Sequence, residues 1–150
     1  MTSAKQPLTA SDQMRVLLDI MEQNVTEKDD VELANGLVKL QNTLNLNLKN
    51  HNYSVDIPSH LYKRLIERHV TLQQFQQAFV KFIMQVIKWS PEKRKHFMNA
   101  EVAINDKATG LYIPVLFETI NGVTKIVTKT AFYETLTQQF AKNGVEIIYV

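Results

Sequence analysis

The stretch TLQQFQQAFVKFIMQVIKW, Thr71 to Trp89, carries the clearest periodicity in the chain. Leu72, Phe75, Phe79, Phe82, Ile83 and Val86 recur at the three- and four-residue steps that line one face of an α-helix. Thr71 and Gln74 stand at capping-box spacing, so the helix is expected to begin just after Val70. It should end at WSP, where Ser90 and Pro91 together start a short basic helix, PEKRKHF.

Beyond Asn99 the pattern changes to strands. EVAI, LYIPVLFET and VTKIVTK are rich in β-branched residues, with a long turn at NDKATG and a two-residue hairpin turn at Asn121-Gly122. Pro114 argues that the middle segment has an edge, or bulges there, because it cannot donate to a ladder. A helix is expected to return over AFYETLTQQFAK, with Phe132, Leu136 and Phe140 in line and Gly144 as its stop. VEIIYV reads as a last strand.

Upstream, residues 1–10 form a small, polar tail. Ser11 can cap a helix with Met14, Leu17, Leu18 and Met21 on one face. A second helix follows Thr26, with acids in its first turn and Leu33, Leu37, Leu40 and Leu44 at helical period, weakened by Gly36. In LNLNLKN the alternation of Leu44, Leu46 and Leu48 suits either the start of a strand or a continued helix. Pro58 is expected in the first turn of the next helix. Helices first and strands after define an α+β fold: N-terminal helices plus a small antiparallel sheet with helices on one face. Residues 11–150 form one domain, an N-terminal helical part (11–50) followed by a core (51–150).

The chain has 150 residues, no cysteine and a formal net charge of +2. Disulfides and thiolate metal sites are thereby excluded. The first twenty residues lack the basic-then-apolar order of a signal peptide, and no apolar run approaches the roughly 20 residues of a membrane span. The expected setting is cytoplasmic. So small a charge means that any nucleic-acid contact must come from a local cluster.

One such cluster is SHLYKRLIERHV, Ser59 to Val70. On a helix, His60, Arg64 and Arg68 fall within an arc of roughly 80° over about 12 Å, along the margin of the face made by Leu61, Leu65 and Ile66. Two guanidiniums there can meet a phosphate. His60 lies near a helix start, where the dipole disfavours imidazolium, and a neutral imidazole is what a general base must be. The same spacing equally suits a solvated face, with Glu67 making weak surface pairs. No HExxH motif or acidic ligand cluster points to a metal, and His60 and His69 would lie about 180° apart on one helix.

The run SHLYKRLIER, Ser59 to Arg68, resembles the signature of the phage RegB-type endoribonucleases: His-Leu on a helix, an arginine four residues on, and another four further. The order of elements around it is similar to that of the RegB and RelE-like ribonuclease folds. The specific similarity covers roughly residues 50 to 90. It implies a phage-encoded endoribonuclease, needing no metal or cofactor, that cleaves single-stranded messenger RNA by attack of a 2′-OH on the adjacent phosphate, with the ribosome as a further partner. His60 would be the base, and Arg64 and Arg68 would hold the phosphate. The family's second histidine, on the following helix, corresponds to Val80 here. His69, Lys81 and Tyr133 are candidate replacements. The resemblance also makes Lys63, His69, Lys81, Lys125, Thr128 and Lys129 candidate RNA contacts. The alternative is a module of the same fold that binds RNA or a protein without cleaving.

Overall fold

The computed structural model describes residues 28–133 and 144–150. The expected helix from Ser11 to Met21, and the positions of Leu136 and Phe140, lie outside them. The described chain runs α1 (Lys28–Leu48), a 3-10 turn (Lys49–His51), β1 (Tyr53–Asp56), α2 (Leu61–Glu67), α3 (Leu72–Val86), α4 (Pro91–His96), β2 (Glu101–Asn105), β3 (Tyr112–Ile120), β4 (Val123–Thr128) and β5 (Glu146–Tyr149).

The fold is α+β, and its five-stranded sheet has the order β1-β4-β3-β2-β5. It is mixed, not antiparallel as the sequence pattern suggested. β2, β3 and β4 form an antiparallel meander, while β1 lies parallel to β4 and β5 parallel to β2. Both parallel pairs join strands separated by long connections, which a parallel pair requires. Apolar alternation alone carries no information about strand direction.

Asn121 (φ 54°) and Gly122 (φ 82°) make the tight β3–β4 turn with positive φ at both central positions. Pro114 sits in the central strand. Tyr112 N–H donates to the Phe132 carbonyl, so strand alternation turns the proline nitrogen toward the same side. There the β3–β4 ladder has already ended at the Val115–Thr128 pair. The proline marks an interrupted ladder, not a sheet edge.

The open edge of β1 is closed by α1. The side-chain amide of Asn45 donates to the Val55 carbonyl at 3.1 Å, and its oxygen accepts the Val55 N–H at 2.7 Å. Gln41 Oε1 accepts the Ile57 N–H at 2.6 Å. Two helix side chains thus imitate a neighbouring strand and protect the edge. This resolves LNLNLKN as helix: Leu44 and Leu48 are buried in the core while Leu46 is exposed. Gly36 also has a packing role, since a Cβ there would lie 2.3 Å from Leu72 Cδ2 of α3.

α3 begins with the expected capping box between Thr71 and Gln74 and buries Phe75, Phe79, Phe82, Ile83 and Val86. Phe82, Trp89, Phe97 and Phe117 form an aromatic cluster with neighbouring ring centroids 4.9 to 6.2 Å apart. Val102, Ile104, Ile113, Val115 and Ile126 complete the same core from the sheet. Phe132 is not helical, contrary to expectation; it bridges to Tyr112, and their rings stack with centroids 6.0 Å apart.

Candidate functional site

α2 places the polar residues of SHLYKRLIERHV. Pro58 stands just before it, its carbonyl accepting from Leu61 N–H at 3.0 Å. The helix has seven residues, and Leu61, Tyr62 and Leu65 are its buried anchors. Its end is a Schellman motif: Val70 N–H donates to Leu65 O at 2.8 Å and His69 N–H to Ile66 O at 3.1 Å. His69 supplies the left-handed residue at φ 55°, a place where glycine is usual. His69, expected as a general acid or RNA contact, therefore has a backbone task of its own.

His60, Arg64 and Arg68 are all exposed. His60 occupies the N-cap position, and its side chain makes no capping hydrogen bond. Arg64 lies 3.7 Å from Glu67, an exposed i,i+3 pair that contributes little. Arg68 closes the helix, and its guanidinium stands 5.5 Å from the Phe132 ring centroid. Through Phe132 it reaches the segment bridged to the start of β3. At four-residue spacing the three groups follow one side of α2, and among the described residues Arg68 alone of the three lies over a ring beside the sheet. Lys63 is partly buried, with its ammonium 6.0 Å from the Tyr62 ring centroid.

The other expected contacts separate from this edge. Lys81 is paired with the buried carboxylate of Asp106. Asp106 also accepts from the Thr109 hydroxyl at 2.8 Å and from Ala108 N–H at 3.3 Å. Burial alone would push the Asp106 pKa up; the hydrogen bonds from Lys81, Thr109 and Ala108, with the Lys81 charge, outweigh it and hold the carboxyl below its usual range. This cluster pins the turn between β2 and β3, so Lys81 is committed structurally. Tyr133 donates to Gln74 Oε1 of α3, and burial with the nearby Asp106 charge pushes its hydroxyl pKa up.

Thr128 is fully buried. It lies opposite Val115 on the helix-covered face, and its hydroxyl has no hydrogen-bond partner among the described residues. It cannot meet RNA in this arrangement. Lys125 is exposed on the outer face, opposite Glu118 in register, and Lys129 is exposed just past the end of β4. Val80, where the second histidine was sought, packs partly buried against the core. Among the described residues no cluster of three or more acidic or histidine side chains could hold a metal, and no helix is long and apolar enough to cross a membrane.

No protein-family model matches this chain, and no curated protein or solved structure shows significant similarity to it. The structure is an α+β protein with one histidine and two arginines exposed on and beside α2.

Proposed function

We propose that this chain is a cytoplasmic RNA-acting protein, a metal-independent endoribonuclease that takes single-stranded RNA along the α2 edge. The carrying observation is the exposure of His60, Arg64 and Arg68 at successive four-residue steps, with the Arg68 guanidinium 5.5 Å from the Phe132 ring centroid. Two arginine forks can bind phosphate oxygens and stabilise charge that builds on the phosphorus during attack. His60, unheld by any cap bond, would take the proton of the attacking 2′-OH. The leaving 5′-oxygen would be protonated from water, because Val80 cannot supply a proton.

A second reading, binding without cleavage, is favoured by that same valine and by the lack of a side-chain capping bond at His60 among the described residues. RNA contact at Arg64 and Arg68 is common to both readings, which part at His60. Incubation with end-labelled RNA in excess chelator separates them. Cleavage abolished by His60→Ala supports the nuclease. Retained binding without product, weakened about tenfold by Arg64→Glu or Arg68→Glu and with a shallower salt dependence, supports the binding module. Binding indifferent to both charge reversals would remove both readings.

A further inference from the structure

The end of the sheet away from Arg68 holds a separate cavity. Arg68 meets Phe132, which bridges Tyr112 at the start of β3, whereas this cavity uses Thr119 near the other end of that strand. Its volume is about 370 Å³, and Tyr53, Arg94, Lys95, Met98, Gly122 and Thr124 are among its lining residues. That lies at the small end of ligand sites, which span roughly 300–1,000 Å³.

The charges around it are unbalanced. Arg64, Lys81 and His96 each stand beside a carboxylate, Glu67, Asp106 and Glu146 respectively. Arg94 and Lys95 form no such pair among the described residues, and no Asp or Glu lines the cavity. Arg94 is nevertheless partly buried, its guanidinium 5.0 Å from the Tyr53 ring centroid. A guanidinium held over a ring by its charge keeps N–H donors that can still bond a phosphate. A cation that has given up part of its hydration without gaining a carboxylate lacks its counter-charge, and the fork matches two oxygens of one phosphate.

The rest of the wall suits a ligand with an organic body. Met98 offers an exposed apolar side chain. Gly122 has nothing within 4 Å of the place its Cβ would occupy, so a ligand can approach the backbone there. Burial pushes the Tyr53 hydroxyl pKa up, against the opposing Arg94 charge.

We propose that this cavity binds a nucleoside monophosphate group, with its phosphate on Arg94 and Lys95 and its organic body against Met98. The group could arrive as a free nucleotide or as the 5′-phosphorylated end of an RNA, and the test includes both. The full chain, labelled with ¹⁵N, is titrated with UMP, uridine, inorganic phosphate, and a short RNA with either a 5′-phosphate or a 5′-hydroxyl. Saturable UMP shifts are expected at the amides of Lys95, Gly122 and Thr124, with uridine and inorganic phosphate at least about tenfold weaker. A 5′-phosphorylated RNA that shifts these amides at lower concentration than both UMP and the 5′-hydroxyl RNA identifies the RNA end as the source; one that shifts them no better than UMP identifies the free nucleotide. Lys95→Ala, a change at an exposed side chain, should weaken UMP several-fold, and Arg94→Gln more. Should Arg94→Gln fail to fold, Lys95→Ala still decides. Uridine or inorganic phosphate binding as well as UMP, shifts confined to other regions, no shifts at all, or a Lys95→Ala affinity equal to wild type would each overturn the proposal.

Discussion

Two regions of this molecule carry basic side chains near the start of β3, and they treat them in opposite ways. Lys81 is locked to a carboxylate that is 1% exposed and is itself held by Thr109 and Ala108. On α2, Arg64 has an exposed pair and His60 has no capping bond. The first arrangement stabilises a turn and commits the Lys81 ammonium to a carboxylate. The second contributes little to stability and leaves donors open. Where a cation is fully satisfied, its removal should be felt in folding; where it is not, its removal should be felt in binding.

The largest effect follows at Asp106. Asp106→Ala removes the acceptor for Lys81, Thr109 and Ala108 and should cost about 2–3 kcal/mol. This lies below the roughly 3–5 kcal/mol of a fully buried pair, because Lys81, with its side chain 43% exposed, can turn to water. Urea unfolding at neutral pH measures it. The pH dependence has a definite sign. The carboxyl's pKa is lowered in the folded protein, so its contribution is complete above the unfolded value of about 3.9 and is lost as pH falls through the lower folded value. Asp106→Asn should flatten that acid limb of the stability curve. An unchanged acid limb would mean that the cluster does not hold the turn.

The same contrast explains what could be read in advance. α3 was legible in full because its stripe, capping box and stop are all local, as were Ser90 at the start of α4 and the Asn121-Gly122 turn. Strand direction was not legible, because β1 and β5 acquire parallel neighbours only through long-range pairing. Nor was the edge cover by Asn45 and Gln41, whose partners lie 10 and 16 residues away. In the candidate site, the exposure of His60, Arg64 and Arg68 followed from helical spacing. Thr128 misled because a threonine on a strand carries no mark of which face will be covered. Lys81 misled because its partner is 25 residues distant. An exposed-looking lysine one position from a buried stripe was the available hint.

A middle-sized effect tests the start of α3, which follows α2 directly in the chain. Thr71→Ala removes the acceptor for Gln74 N–H, now 3.1 Å away, and should cost about 1 kcal/mol. RNA binding at the α2 edge should be unaffected at temperatures where the variant is folded. A comparable loss of RNA binding would mean that the edge depends on this cap for its geometry, and the separation between the two regions would weaken.

The smallest effect has the opposite sign and bears on His69, the residue that belongs to both accounts. Its φ of 55° costs a side-chain-bearing residue about 1–2 kcal/mol relative to an unstrained position, a cost that glycine escapes. Glycine in turn loses about 0.5–1 kcal/mol through its freer unfolded chain. His69→Gly should therefore stabilise the protein by about 0.5 kcal/mol, read as a small rise in the denaturation midpoint with unchanged slope. The Schellman bonds from Val70 and His69 are backbone bonds and survive the change. If RNA affinity is also unchanged, His69 serves only as the stop of α2, and the cationic edge reduces to His60, Arg64 and Arg68. If stability rises while RNA affinity falls, the imidazole is an RNA contact held in a strained backbone position for that purpose. A loss of stability would instead show that the His69 ring makes packing contacts worth more than the strain it incurs.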